Sequence, residues 1–414
     1  MYMRKLTGPL MAIALALPMA AMLATAVPTP AEAQTSGGWR KEVAEKAQAA
    51  QTAGQKNNFQ EAISQLKAAK AMGPLSPQEE QGINELLIWA ASGARDYKLL
   101  AATIEERLAT GRVKGSDKVG KLDTLAKTYY SLRDYRACAD ATDRLIKARG
   151  SATADDLVML GQSQFLTKNY GAAAATLEKA YPAAKRAGKP VKIQVQVLET
   201  LNAAYFELKN EDKRVETLHQ LMLVQPKVSV FEQLVSQYEK DNIDSVGMVN
   251  LFRLGSRKNV LAKDHYGKYA DVALDLLSPG EAVDMLEKGM AAGGIAKDDR
   301  NMRLLSDSKA QMEALKANIS QQEREAKAIA DGDSDARLAV TYFTLGDKAK
   351  TVEIARRALE KGKLNRPDQV EMLLGVALYD QKKLADARAA FAAAATANPK
   401  IAGIANLWDD IAGG

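Results

Sequence analysis

Apolar residues at helical spacing predict a helical hairpin in residues 47–74. On its second helix they recur three or four positions apart, at Ala62, Leu66 and Ala69. Residues at this spacing lie on one face of a helix, where they pack against the first helix of the pair. Asn58 stands directly before the second helix, where its side chain can cap a free backbone N–H group, and Glu61 completes the pattern of a capping box. Pro74 ends the hairpin because proline cannot continue a helix.

The turn of this hairpin returns along the chain at a nearly fixed interval. Each copy is a polar residue that can cap a helix followed by an aromatic residue: Asn58-Phe59, Asp96-Tyr97, Asp134-Tyr135 and Asn169-Tyr170. The aromatic positions are 38, 38 and 35 residues apart. A period in this range is typical of stacked helical hairpins, so the sequence predicts an all-α solenoid.

The hairpins resemble the tetratricopeptide repeat family, whose unit of about 34 residues has small residues at its eighth, twentieth and twenty-seventh positions and proline near its end. The best match is Leu374-Gly375, Leu384, Ala387, Phe391, Ala394 and Pro399. Further copies lie at 126–145, 160–180, 205–226 and 335–362. The resemblance implies a right-handed superhelix of antiparallel helix hairpins that binds proteins through its concave face.

The chain divides into three segments that match the repeat pattern to different degrees. Residues 34–227 are predicted to form N-terminal repeats, 228–331 divergent helical hairpins, and 332–414 C-terminal repeats with a capping helix. Within the divergent part, residues 306–330 are polar and contain neither glycine nor proline, which predicts one longer helix at a bend or boundary of the array. The capping helix is predicted from an apolar stripe of Ile401, Ile404, Leu407, Trp408 and Ile411.

The first segment has the pattern of a secretory signal. Arg4 and Lys5 form a basic head, 10–27 is mostly apolar, and Ala31-Glu32-Ala33 is a small-x-small cleavage site. We expect cleavage after residue 33 and a soluble, exported protein, in a bacterial periplasm. The alternative is an uncleaved membrane anchor, which the interrupting Pro18 argues against.

Composition and charge exclude some kinds of partner. Without Arg4, Lys5 and Glu32 the chain keeps 55 basic and 50 acidic residues, a net charge of +5 that is not gathered into one tract. The sequence therefore predicts no nucleic-acid partner. Cys138 is the single cysteine, so no internal disulfide forms. It occupies the repeat position of an alanine, which predicts a small buried residue, and a reactive thiol is the alternative.

Candidate catalytic chemistry is sparse. His219 and His265 are the two histidines, and no nucleophile elbow, zinc-binding HExxH or phosphate loop is present. We therefore predict no catalytic, cofactor-binding or metal-binding residues, and no cofactor. A two-carboxylate glycosidase is disfavoured because the repeats leave no separate catalytic domain.

A stripe of aromatic residues is the sharpest candidate site. The twelfth position of the aligned repeats holds Tyr130, Phe165, Phe206, Phe343 and Tyr379. By the family resemblance this position lines the concave face, so the stripe is predicted to bind a partner segment, with a mixed-charge rim of Asp123, Lys127, Gln162, Glu199, Gln369 and Asp380. The alternative is that the aromatic rings pack between neighbouring helices.

The first functional hypothesis is a non-enzymatic, exported scaffold. It would bind a protein or peptide of the cell envelope and serve assembly, secretion or transport. One alternative is a cell-wall (peptidoglycan) enzyme or an accessory of such an enzyme, since some of these enzymes carry helical solenoids. The other is a solenoid whose aromatic stripe binds glycans. The oligomeric state stays open.

Overall fold

The computed structural model describes residues 38–414, which form twenty α-helices and no strands, as the predicted all-α solenoid requires. The first nine are α1 (Lys41–Gln55), α2 (Phe59–Lys70), α3 (Pro77–Gly93), α4 (Tyr97–Ala109), α5 (Gly115–Ser131), α6 (Tyr135–Arg149), α7 (Ala154–Leu166), α8 (Tyr170–Arg186) and α9 (Val191–Glu207). The predicted signal, residues 1–33, lies outside the described residues. Each helix packs mainly against its neighbours in sequence, and short turns make the pairs antiparallel.

The remaining eleven helices belong to a second compact unit. They are α10 (Glu211–Val224), α11 (Val228–Lys240), α12 (Ser245–Arg257), α13 (His265–Asp275), α14 (Pro279–Ala291), α15 (Asp299–Ala328), α16 (Asp333–Thr344), α17 (Lys348–Lys361), α18 (Pro367–Asp380), α19 (Leu384–Ala397) and α20 (Ala402–Gly413). The division falls between Asn210 and Glu211, and the sequence boundary at 227/228 lies inside this unit.

The recurring turns work as the sequence indicates. The side chains of Asn58, Asp96 and Asp134 accept hydrogen bonds from backbone N–H groups three residues later, at 3.3, 3.0 and 3.1 Å. Asn169 stands at the same place but makes no such bond. Each of these turns also needs one residue in the left-handed region, and arginine, lysine or asparagine supplies it, as at Arg95 with φ of 55°.

The small positions of the repeats let paired helices approach closely. Ala62, Cys138 and Ala387 are fully buried. At Gly375, an added Cβ would lie 2.4 Å from the ring of Phe391 on the facing helix, so the match to a small residue has a direct steric cause.

Some ion pairs in the first unit join residues about one repeat apart. Lys121 pairs with Glu85 and Lys70 with Glu106, in both cases 36 residues apart. The spacing of these two contacts is therefore close to the repeat period of the sequence.

In the second unit, helix α12 is buried along almost its whole length. The last helix, α20, packs on α19 and also reaches α12, where Trp408 donates a 3.0 Å hydrogen bond to the backbone oxygen of Asn250. Trp408 is fully buried, whereas Asp410 is exposed. The apolar stripe of α20 therefore faces the unit's core, as a capping helix requires.

The longest helix, α15, has thirty residues and begins before the predicted span of 306–330. Only Leu305, Ser308 and Ala326 of its residues are buried. The helix therefore packs near its two ends, while its middle turns are largely accessible. Within residues 38–414, no helix combines the length and the apolar character that a membrane span requires.

Candidate partner-binding surfaces

In the first unit, the three aromatic residues of the predicted stripe have different surroundings. Tyr130 is buried, and its hydroxyl donates a 3.3 Å hydrogen bond to the buried Gln162. Phe165 is half-buried, with its ring centroid 5.4 Å from that of Tyr170. Phe206 is 59% exposed. Contact with a partner therefore stays a prediction for Phe165 and Phe206, while the packing alternative describes Tyr130.

In the second unit, the chain itself contacts both stripe residues. The guanidinium of Arg253 lies 4.5 Å above the ring of Phe343. Tyr379 meets Trp408 edge to face, with centroids 5.3 Å apart. A partner could contact these two rings only next to α12 and α20, or after displacing these helices.

Helix α12 is fixed in this position by buried ion pairs. Arg253 donates two hydrogen bonds to Glu281, at 2.9 and 2.6 Å, and Tyr269 donates a third at 2.8 Å. Burial opposes the charge of Glu281, but Arg253 holds the pKa of this carboxyl below its usual value. Arg257 makes a two-pronged contact with Asp380, at 2.8 Å for both bonds. Because breaking a buried pair leaves an uncompensated charge, displacement of α12 would be costly.

The predicted rim residues have different surroundings within their own units. Gln162 is buried, Asp123 pairs with Lys127 on its own helix, and Asp380 is engaged by Arg257. Glu199 is half-buried. Gln369 alone lies in the groove described next.

The second unit contains a groove of about 830 Å³ that the sequence did not indicate. Its walls are the middle of α15, helix α16, the start of α18 and the turn between α13 and α14. Its apolar lining includes Leu276, Leu277, Pro279, Ala314, Leu315, Ile329, Val340 and Leu373. The volume is within the range of about 300–1,000 Å³ that is typical of ligand sites.

The α15 wall is held at both ends. Near its C-terminus, Lys361 donates hydrogen bonds of 2.6 Å to the backbone oxygens of Ala326 and Ile329. Towards its N-terminus, Lys309 pairs with Glu287 of α14 at 2.6 Å. The helix is therefore fixed near both ends, and its middle turns form one wall of the groove.

Leu277 is exposed at the edge of this groove. It occupies the left-handed turn position, with φ of 56°, and its side chain is 68% exposed. Among the described non-glycine residues with positive φ it is the one apolar member. The strain of this conformation costs about 1–2 kcal/mol, so an apolar residue here stabilises neither the turn nor the core. The neighbouring Gly280 fixes the turn, since its N–H donates a 2.6 Å hydrogen bond to Thr344 of α16.

The family comparison concerns two walls of this groove. Residues 337–400, from α16 to the end of α19, match the family model of the tetratricopeptide repeat. This part of the chain is similar to the tetratricopeptide repeat family. Helix α15 lies outside the matched span, so matched and unmatched helices together build the groove.

Solved structures similar to this chain have low sequence identity to it. A chain of the Naa15/Naa10 complex bound to HypK-THB is 16% identical, with a TM-score of 0.39 over 88% of this chain, which spans 54% of that chain's length. A tetratricopeptide repeat protein from Parabacteroides merdae is 12% identical, with a TM-score of 0.32 over 89% of this chain and 99% of the other. The TPR2AB domain of yeast Sti1 with pHSP90 is 12% identical, with a TM-score of 0.25 over 72% and 99%. No curated protein sequence matches this chain.

Charges around the groove are unevenly compensated. Arg366 is paired with Asp244 and Asp368, at 2.7 and 2.8 Å. Three carboxylates of the lining, those of Asp275, Asp333 and Glu325, have no basic partner within residues 38–414, and Arg337 is the one lining cation there without an acidic partner. The groove is therefore acidic on balance.

The single cysteine and the two histidines of this chain are packed among other side chains. Burial raises the pKa of the Cys138 thiol, which disfavours the reactive thiolate. Burial lowers the pKa of His219 to about 4, and its Nε2 lies 3.0 Å from the hydroxyl of Tyr238. His265 is buried and its Nδ1 accepts the backbone N–H of Ala262. In residues 38–414, histidine, cysteine and acidic residues form no group of three or more that could hold a metal ion.

Proposed function

We propose that this protein is an exported, non-catalytic scaffold that binds a segment of a cell-envelope protein in the groove between α15, α16 and α18. The tetratricopeptide repeat is a protein-binding fold, and the groove supplies the surface. The observation that carries the proposal is Leu277, an apolar side chain held exposed in a strained turn at the edge of an apolar groove. Strain of this kind is retained where it serves a function.

The proposed location rests on residues 1–33. Their basic head, apolar stretch and cleavage pattern support export, and an exported scaffold meets its partners in the envelope. Mass spectrometry of the protein purified from its native cells tests this step. We expect a mature chain that starts at Gln34, and an intact N-terminus in a cytoplasmic fraction would contradict export.

The glycan-binding alternative receives less support than protein binding. Sugars stack on exposed aromatic faces, whereas Tyr130, Phe343 and Tyr379 are contacted by other side chains of the chain. The groove lining contains no aromatic residue. We therefore propose protein binding, and not glycan binding, as the function.

In-cell photocrosslinking tests the proposed groove. A photoreactive amino acid replaces Ala314, which faces the groove, or Ser320, which is exposed on the opposite side of α15. We expect one specific protein crosslinked through position 314 and not through 320, and we expect Leu277→Asn to weaken that crosslink while the fold is kept. An equal pattern at both positions, or no crosslinked protein at 314, would refute the groove as the site.

A further inference from the structure

We propose that the groove binds an extended, basic polypeptide segment, whose backbone is held by the side-chain amides of Gln311, Gln322 and Gln369. This inference rests on the proposed function and names the kind of segment that the groove takes. It follows from three features of the lining: amides without partners, the length of the α15 wall, and the acidic balance of charge.

Three glutamines line the groove without a hydrogen-bond partner. Gln311 and Gln322 project from α15, Gln369 from α18, and none of these side chains bonds to another group in residues 38–414. Each amide carries both donors and an acceptor. A helical ligand satisfies its own backbone groups, whereas an extended segment leaves N–H and C=O groups that need partners. The amides on two walls therefore suit an extended backbone.

The wall has the length of a short extended segment. The lining residues of α15 run from Gln311 to Ala326, which at about 1.5 Å per residue spans about 22 Å. An extended chain rises about 3.3 Å per residue, so about seven residues fit along this wall. Alternate side chains of such a segment would point to the apolar floor at Leu315, Val340 and Leu373.

Charge complementarity selects a basic segment. The carboxylates of Asp275, Asp333 and Glu325 exceed the single free cation of Arg337, and the charge of Arg366 is already used by Asp244 and Asp368. Lysine or arginine side chains at the solvent-facing positions of the segment would meet this acidic rim. The same rim repels nucleic acid and acidic peptides.

Labelled heptapeptides of alternating valine and lysine provide the probe, with binding to the mature protein measured by fluorescence anisotropy. The controls are the same peptide with glutamate in place of lysine, and the lysine peptide with methylated backbone nitrogens. We expect binding of the lysine peptide that weakens with added sodium chloride, and a loss of at least tenfold for either control. Equal binding of the three peptides, or no binding of the lysine peptide, would overturn the proposal.

Protein variants locate the contact. Gln322→Leu and Gln369→Leu each remove an amide while filling similar space, and each is expected to weaken peptide binding about fivefold. Ser320→Ala, on the opposite side of α15, is the matched control and should leave binding unchanged. Circular dichroism confirms that each variant is folded. Unchanged binding in both glutamine variants would show that the peptide binds elsewhere and would refute the site.

The two proposals can fail separately. A partner that crosslinks through position 314, while the peptides show no preference for lysine or for free backbone N–H groups, would retain the scaffold function and reject the extended basic segment. Absence of any crosslinked protein at position 314 would reject the scaffold function at this groove, whatever the peptides do.

Discussion

The small residues of the repeats are set by contacts with single side chains on the facing helix. At Gly375, a methyl group would have to displace the ring of Phe391, which is itself fully buried. We expect Gly375→Ala to lower the free energy of unfolding by about 1–3 kcal/mol, the usual cost of overpacking.

The control for this substitution is Gly267→Ala in the same unit. An added Cβ at Gly267 meets no atom within 4 Å, so the variant should gain about 0.5–1 kcal/mol from helix propensity. Denaturant unfolding measures both variants. Equal effects at the two positions would show that backbone entropy, and not contact with Phe391, determines the residue at 375.

His219 gives the second unit a predictable sensitivity to acid. Burial is the main cause of the lowered pKa, about 4, and the charge of Glu216 partly opposes it. The unfolded chain takes up the proton near pH 6.5, whereas the folded chain does not, so stability present above pH 6.5 is lost as the pH falls towards 4. We expect a loss of up to about 2 kcal/mol between pH 7 and pH 5 from this residue.

His219→Gln removes this titration and keeps a group that can bond to Tyr238. Unfolding by denaturant at pH 7 and pH 5 should show a smaller pH effect in the variant than in the parent. His265, whose pKa burial also lowers, remains in both proteins and accounts for acid sensitivity common to them. An unchanged difference between the two pH values would show that His219 is protonated without cost in the folded chain.

At the residue scale, the sequence predicted features that depend on near neighbours. The caps at Asn58, Asp96 and Asp134 follow from local chemistry, and the burial of Cys138 follows from its repeat position. The sequence did not predict that Leu277 and Gln322 line one groove, because Leu277 lies in a turn and Gln322 in a helix, and both lie outside the clear repeats. The available signal was Leu277 itself, an apolar residue where the other turns have arginine, lysine, asparagine or glycine.

Among the helices, α20 depends most on a single side chain for its packing as a capping helix. Trp408 is fully buried, stacks on Phe391 at 5.3 Å between centroids, and donates its indole N–H to Asn250 of α12. We expect Trp408→Ala to lower the free energy of unfolding by about 3–5 kcal/mol, since it leaves a large cavity and removes the hydrogen bond to α12.

Thermal unfolding and light scattering measure this change. The exposed Asp410 on the same helix provides the control, and Asp410→Ala should change stability by less than about 0.5 kcal/mol. A Trp408→Ala variant as stable as the parent would show that α20 only covers the end of α19 and is not part of the core around α12.

Helices α12 and α15 show why the sequence can predict a helix without predicting the contacts that build the candidate site. The existence of a long helix after residue 300 was readable from its polar, glycine-free sequence. Its partners were not, because only Leu305, Ser308 and Ala326 are buried and no periodic apolar face fixes its neighbours. For α12, tertiary contacts such as Arg257 with Asp380 join residues 123 positions apart, beyond the reach of a repeat period.

At the scale of the whole chain, the structure divides into two compact units between Asn210 and Glu211. Leu218, Leu221 and Met222 of α10 are buried in the second unit, and α10 also contacts α20. The division at 210/211 therefore predicts that residues 38–210 and 211–414, produced separately, each fold. Circular dichroism and denaturant unfolding should show a helical spectrum and a cooperative transition for both fragments.

A fragment that starts at the sequence boundary, 228–414, is the matched control. It lacks α10 and so exposes the surfaces of α11 and α20 against which that helix packs. Its loss also removes His219 from Tyr238 and leaves a buried hydroxyl without its partner. We expect this shorter fragment to be less stable than 211–414 and to aggregate. If the two fragments were equally stable, α10 would belong to the N-terminal repeats, as the sequence boundary has it, and the second unit would begin at α11.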